Sequence, residues 1–213
     1  MRTYLQLSKA DHERPGGIER DTFPPALVEH FLRPFTVSGE VVLDPFAGFG
    51  TTLRVAEAMG RRSIGIEFLE DRAAYMESWA GPLARVIRGD SRRIDELGLE
   101  PVDFCITSPP YMCRNDPQDP LQGYTVEGAG YDAYIDGLAD VFRRVGSVLK
   151  PDARCVVNVS NIDRYDGLTT LAWDVGRALS SVMTLEREYI VCWSDSDHTF
   201  GYDHEYCLLF RNA

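Results

Sequence analysis

Val41-Val42-Leu43-Asp44-Pro45-Phe46-Ala47-Gly48-Phe49-Gly50-Thr51-Thr52 is the stretch from which the rest of the chain can be read. A short apolar run ends in an acid, two glycines follow one residue apart, and the sequence then turns helical. Strand, glycine turn and helix N-terminus form the layout that binds a nucleotide-like group at the end of a parallel strand. Glycine suits the turn because the backbone must approach a ligand closely and can need φ > 0, where a Cβ clashes.

The same layout repeats on either side. Residues 1–22 are polar, with a Pro15-Gly16-Gly17 break, and read as an N-terminal arm ahead of one domain spanning 23–213. A helix is expected from Phe23 to Leu32, its prolines in the first turn and Leu27, Phe31 and Leu32 on one face. Strands are expected at 39–44, 62–68, 84–90, 102–107 and 155–159, separated by helices at 51–59, 70–79, 131–149 and 168–179 and a short one at 94–97. Ala73, Ala74 and Met76 are placed on the inner side of the 70–79 helix. Two more strands, 188–193 and 205–210, lack a helix between them and suggest an antiparallel hairpin at one edge. Alternating strands and helices predict an α/β, Rossmann-like domain: a mostly parallel, seven-stranded sheet with helices on both faces. Residues 112–130 show no apolar periodicity and read as a long substrate-side loop, functional or mobile.

Bulk properties exclude some classes. The 213 residues, 44% hydrophobic and 26% charged, suit a soluble domain with its own core. No run of eighteen apolar residues exists, and Met1 to Lys9 carries no apolar signal segment, so a cytoplasmic protein without a membrane span is expected. Five cysteines, an odd number without a Cys-x-x-Cys pair, fit free thiols in a reducing compartment. A net charge of −11 repels a polyphosphate at long range, although Arg88, Arg92, Arg93 and Arg114 fall near the ligand edge of the sheet.

Three acids end three successive strands: Asp44, Glu67 and Asp90. At the end of the second strand an acid can accept two hydrogen bonds from a ribose diol. Asp90 is placed near an adenine, whose exocyclic amine is a donor. Acids beside phosphates are unhelpful, whereas a sulfonium cofactor brings positive charge and no phosphate. Gly48-Phe49-Gly50 also lacks the third glycine of a dinucleotide fingerprint, and no Gly-Lys-Ser/Thr loop is present. The pattern therefore favours S-adenosylmethionine over NAD or ATP, against the plain alternative of strand-end acids that cap helices.

Ser108-Pro109-Pro110-Tyr111 ends a later strand. With Asp44 to Thr52 it resembles the two motifs of the amino-group DNA methyltransferases, which methylate cytosine N4 or adenine N6. Phe49 stands where that family usually has serine, and serine at the head of the tetrapeptide is more typical of cytosine-N4 members. Phe23 to Val28 is similar to the segment that closes over the methionine part of the cofactor. Tyr134 to Pro151 and His204-Glu205-Tyr206 also resemble serine-type members. The likeness implies cofactor contacts from Phe23, Pro24, Asp44, Pro45, Phe46, Ala47, Gly48, Gly50, Thr51, Thr52, Glu67, Phe68, Asp90 and Ser91. It implies catalysis by Ser108, Pro109, Pro110 and Tyr111, with Arg114, Tyr124, Tyr131 and Asn158 on the substrate side. The order of the two motifs is the reverse of many cytosine-N4 enzymes. No separate region is left for reading DNA, so recognition is expected from residues 1–20, the 112–130 loop and the tail hairpin.

The tetrapeptide has a chemical logic. An exocyclic amine is a poor nucleophile because its lone pair is delocalised into the ring. Acceptors on both amine protons, Ser108 Oγ and the Pro109 carbonyl, draw the nitrogen towards tetrahedral geometry and localise that pair. The prolines stiffen the turn, and Tyr111 offers a face for an unstacked base. The implied function is methyl transfer to cytosine N4 in DNA, as in restriction-modification. Adenine N6, RNA, a nucleoside or a small-molecule amine are alternative acceptors, and a silent subunit dependent on a protein partner, or a homodimer, is a further option. Cys113 as a covalent nucleophile fits the tetrapeptide poorly. Asp195, Asp197, His198, Asp203 and His204 suit a hairpin turn better than a metal, so no metal is expected.

Overall fold

The computed structural model describes residues 3–7, 24–165, 167–193 and 203–213. In chain order these hold β1 (Tyr4–Leu7), α1 (Pro25–Phe35), β2 (Val41–Asp44), α2 (Thr51–Ala58), β3 (Arg62–Glu67), α3 (Glu70–Glu77) and β4 (Ala84–Arg88). Next come β5 (Val102–Thr107), α4 (Tyr131–Val148), β6 (Leu149–Val159), β7 (Ile162–Arg164), β8 (Gly167–Thr169), α5 (Leu171–Leu179), β9 (Thr184–Trp193) and β10 (His204–Arg211). Single 3-10 turns occupy Ser91–Glu96 and Pro120–Gln122.

The main sheet runs β1-β9-β10-β6-β5-β2-β3-β4. All neighbours are parallel except β10, which is antiparallel to both β6 and β9. From β2 the chain winds outward through β3 to β4, then returns to place β5 on the other side of β2. That reversal opens a crevice at the carboxyl ends of β2 and β5, where ligands of open α/β sheets bind.

Both faces are covered. On one, Leu27, Val28, Phe31 and Leu32 of α1 pack with Val42, Phe104 and Val156 of the sheet. On the other, Tyr134, Leu138, Val141, Phe142 and Val145 recur at helical spacing along α4 and meet Leu43, Cys105 and Cys155. A third cluster joins Ala47 and Leu53 to Met76 of α3. Ala73 and Met76 are buried as expected, whereas Ala74 is exposed: it precedes Ala73's next helical neighbour on the inner stripe and turns to water.

Two differences from the sequence expectation concern weakly apolar segments. Tyr4–Leu7, expected within a polar arm, is an eighth strand parallel to β9, with Tyr4 opposite Ile190 and Leu7 opposite Trp193. Leu5 is buried there, and the Ile190 amide donates to the Thr3 carbonyl at 2.8 Å. The β9–β10 pair is therefore inside the sheet rather than at its edge. The gain comes from closing the backbone groups of β9, which a four-residue run with only alternate leucines does not announce. The second is the small antiparallel hairpin β7–β8, within and just ahead of the segment read as the start of α5.

Candidate active site

Asp44 is the residue around which the crevice is built. It is 1% exposed, at the end of β2. Thr52 Oγ1 donates to one carboxylate oxygen at 2.6 Å; Thr107 Oγ1 and the Phe46 amide donate to the other at 2.6 and 3.1 Å. One side chain thus ties together the glycine loop, the first turn of α2 and the end of β5. Burial pushes its pKa up to about 6 against these three donors, and the nearby Glu67 charge adds to the rise.

Glu67, also buried, closes the loop from β3. It accepts from the Gly48 amide at 2.9 Å and the Leu69 amide at 2.8 Å, while the Ala47 amide donates to the Ile66 carbonyl at 2.9 Å. Burial raises its pKa, opposed by those amides and by Arg72. The glycines divide the work. Gly50 starts α2 at φ +83, and a Cβ there meets the Trp79 ring at 2.6 Å, so space and conformation both demand glycine. Gly48, at φ +55, would point a Cβ into open space, the side from which a ligand approaches.

Asp90 caps the turn after β4 and holds Arg92 in a fork, with Nε at 3.0 Å from both oxygens and the second guanidinium nitrogen at 2.6 Å. Burial works against its charge, but Arg92 outweighs it and keeps the carboxyl below its ordinary value. Ser91 donates its hydroxyl to the Pro45 carbonyl, locking the two strand ends.

The Ser108-Pro109-Pro110-Tyr111 turn faces this loop across one cavity of about 570 Å³. All its peptide bonds are trans. Two tyrosines brace it from outside: Tyr134 Oη donates to the Pro110 carbonyl and Tyr124 Oη to the Tyr111 carbonyl, both at 2.6 Å. The Tyr111 ring is half-buried with its hydroxyl inward, bonded to the Ser108 hydroxyl and the Ser160 backbone. Burial, then the Glu205 charge, drives that phenol's pKa well up, so Tyr111 is neutral at any ordinary pH.

The cavity brings both motifs together. Its wall includes Pro24, Asp44, Pro45, Phe46, Ala47, Gly48, Thr51, Glu67, Phe68, Asp90 and Ser91, along with the whole tetrapeptide, Tyr124 and Asn158. Gly50 and Thr52 stand behind the wall and act through the loop and Asp44. Phe23, Asp195, Asp197 and His198 lie outside the described residues. Arg114 and Tyr131, expected on the substrate side, face elsewhere: both bind Asp174 on α5, at 3.1 and 3.0 Å, and the guanidinium lies 4.8 Å from the Tyr131 ring centre. A buried Tyr131 earns more from packing on α4 than from an open site, and Arg114 follows the nearest carboxylate. Arg88 and Arg93 are likewise paired, with Glu70 and Glu96.

The 112–130 segment is ordered around Asp119, which caps its 3-10 turn through the Leu121 amide at 2.8 Å and accepts from Gln122 Nε2 at 2.8 Å. It lays Leu121, Gly123 and Tyr124 over the cavity. Tyr124 sits at φ +61, an unusual state for an aromatic residue, held by its bond to the turn. Cys113 is buried and its amide donates to Asp116. Among the described residues no three His, Cys, Asp or Glu side chains gather as metal ligands. Nor is any helix among the described residues long and apolar enough to cross a membrane.

Arg72, Arg164 and Asp116 also line the cavity, unforeseen from sequence, and so does Glu205, of the His204-Glu205-Tyr206 stretch that resembles serine-type members. Among the described residues the wall carries five carboxylates (Asp44, Glu67, Asp90, Asp116, Glu205) against three guanidiniums (Arg72, Arg92, Arg164). Two of the guanidiniums are spent on Asp90 and Asp116, and the third faces Glu67. Such a wall repels phosphate and accepts a cation with hydroxyl and amine donors, which is the chemistry of an adenosyl sulfonium.

Comparison with known proteins points the same way. A family model described as DNA methylase matches residues 6–78. Over 61 residues the chain is 47% identical to the type II methyltransferase M.ScaI of Streptomyces caespitosus, covering 29% of this chain and 19% of that protein. Over 66 residues it is 46% identical to M.MjaI of Methanocaldococcus jannaschii, covering 30% and 22%. The matches thus span about a fifth of those relatives' length. Solved structures share the fold. The TehB-like S-adenosylmethionine-dependent methyltransferase of Corynebacterium glutamicum superposes with a TM-score of 0.57 at 16% identity, over 92% of this chain and 90% of that one. Magnesium protoporphyrin IX methyltransferase of Synechocystis, with S-adenosylmethionine bound, gives 0.57 at 13% identity, over 88% and 77%.

Proposed function

We propose, from the match of residues 6–78 to a family model described as DNA methylase, that this chain is an S-adenosylmethionine-dependent methyltransferase acting on the exocyclic amine of a nucleobase, cytosine N4 in DNA. One observation carries the reading: the sulfonium-compatible glycine loop and the proline-braced Ser108 turn face each other across a single cavity.

The cofactor, S-adenosylmethionine, supplies a methyl group on a sulfonium, which leaves as a neutral thioether. The chain does the rest. Glu67 keeps the Gly48 amide in place, and the oxygens of Glu67 and Asp90 have lone pairs left for ribose and adenine donors. Ser108 Oγ, steadied by the Tyr111 hydroxyl beside it, accepts one amine proton, and the Pro109 carbonyl accepts the other. Pro110 and Tyr111 carbonyls are already taken by Tyr134 and Tyr124, so the turn holds its acceptors without competing for the base. Tyr111 offers a ring face, and the 112–130 segment excludes water.

The charge of −11 and the pairing of the cavity's arginines favour a second reading, a nucleoside or a small-molecule amine as acceptor. Incubation with labelled S-adenosylmethionine and, separately, plasmid DNA, RNA and nucleosides, followed by mass spectrometry of the product, decides among them. Ser108→Ala is expected to lower turnover roughly five- to thirtyfold while leaving cofactor affinity within about twofold, since losing one acceptor costs about 1–2 kcal/mol in the transition state. Full activity in that variant, or a methyl group on a ring carbon, overturns the assignment.

A further inference from the structure

We propose that the β7–β8 hairpin grips the DNA strand beside the base drawn into the cavity, Arg164 holding a backbone phosphate and Tyr165 stacking in the gap that the base leaves. The inference rests on the reading above and deepens it: the acceptor is a base within a strand, not a free nucleoside.

A base in a duplex reaches the Ser108 turn only by swinging out of its stack. Two things then stay outside the cavity. One is the phosphodiester of that nucleotide, which the acidic wall repels. The other is the gap between the neighbouring bases. Holding this state takes a guanidinium at the mouth for the first and a flat apolar ring for the second.

The hairpin is built onto the cavity. Ile162, buried at its root, and Arg164 both line the wall from β7. Strand alternation puts these two on one face and turns Asp163 to the other. The root is anchored on two sides. Thr169, opposite Ile162 and also buried, accepts the Arg114 amide of the 112–130 segment at 3.2 Å. Just ahead of the hairpin, Asn161 Oδ1 accepts the Ala172 amide of α5 at 3.0 Å. A pair of three-residue strands gains little stability alone, so these anchors set its position.

Beyond the root the side chains do no packing. Arg164 is exposed and stands 3.8 Å from Asp116, too far for a hydrogen bond. Among the described residues it makes none, so Asp116 balances its charge and leaves its N–H donors unused. Tyr165, the next residue, is completely exposed and adds no burial to the fold. An aromatic ring beside a guanidinium is the pairing that binds nucleic-acid strands. The other cavity guanidiniums do not offer it. Arg92 is forked by Asp90, and Arg72 lies 5.2 Å from the Phe49 ring centre, on the cofactor side.

The test is filter binding of the full chain, with S-adenosylhomocysteine present, to labelled duplex fragments of plasmid DNA from low to physiological salt. Arg164→Gln should weaken binding about tenfold at low salt and lower the slope of log affinity against log salt by about one. Tyr165→Ala should weaken binding at least fivefold with the slope unchanged. Tyr165→Phe should bind as wild type does, since stacking uses the ring and not the hydroxyl. All three should keep wild-type affinity for S-adenosylmethionine by calorimetry. Gln and Ala variants that bind duplex like wild type overturn the inference, as does a Phe variant as weak as Ala. Tighter binding of an RNA transcript of the same fragment, lost in the same variants, overturns the choice of DNA. Wild type that methylates deoxycytidine but not plasmid DNA keeps the amine chemistry and overturns the hairpin's role. Wild type that methylates neither overturns the underlying reading, and this inference with it.

Discussion

Asp44 shows how a single buried charge can be both a cost and a tool. Its three donors recover only part of what burial takes, so the folded state prefers the proton. A carboxyl with a raised folded pKa contributes stability that is whole below its ordinary 3.8 and lost as pH climbs through about 6. The full shift corresponds to about 3 kcal/mol, as an upper bound. Asp44→Asn can keep all three contacts, with the amide oxygen facing Phe46 and Thr107 and the amide nitrogen donating to Thr52. Urea unfolding of that variant should lose less stability than wild type between pH 4 and 7. Its affinity for S-adenosylmethionine should stay flat where the wild type's rises through pH 6, because only the wild type gains a charge for the sulfonium. Parallel stability curves and parallel affinity curves would refute this account of Asp44.

At the scale of elements, the 112–130 segment depends on a contact outside itself. One oxygen of Asp174, on α5, receives Arg114, Tyr131 Oη and Thr170 Oγ1, at 3.1, 3.0 and 2.8 Å. The segment is thereby fastened to α4 and α5, and the Tyr124 brace on the Ser108–Tyr111 turn is fastened with it. Asp174→Ala removes an acceptor that is only partly exposed and should cost about 1–3 kcal/mol locally. Amide exchange across 112–124 should then speed at least fivefold, and the acceptor KM should rise more than the cofactor's dissociation constant. Exchange unchanged within this segment would mean that Asp119 alone holds it. The arginine and tyrosine that looked like substrate contacts in sequence are thus structural props, and their value to the site is indirect.

For the whole molecule, the edges of the sheet matter most. β4 closes one side, and β1 closes the other by covering β9. Removing residues 1–7 should leave β9 as an open strand carrying Ile190 to Trp193 opposite nothing. The melting temperature should fall by about 2–6 °C, and light scattering should grow with concentration as open edges pair. A truncated chain that melts with wild type and stays monodisperse would show β1 to be dispensable. Charge acts at this scale as well: at −11, encounter with any polyphosphate is slowed, and added salt should relieve that repulsion even as it weakens local contacts.

Hydrophobic periodicity, strand-end acids and the two glycine- and proline-bearing turns were local signals, and together they announced the parallel sheet and the cavity between the two turns. Every one depends on neighbours a few residues away, which is why sequence sufficed. Only the tertiary structure decided which polar side chains face the cavity. Arg114 and Tyr131 left it for Asp174, Gly50 and Thr52 moved behind its wall, and Glu205 entered it from a strand far along the chain from the Ser108–Tyr111 turn. The β1 strand also belongs to that class, since its four residues gain their stability from a partner nearly two hundred positions away. Such choices turn on pairing between distant groups, and no local pattern records them.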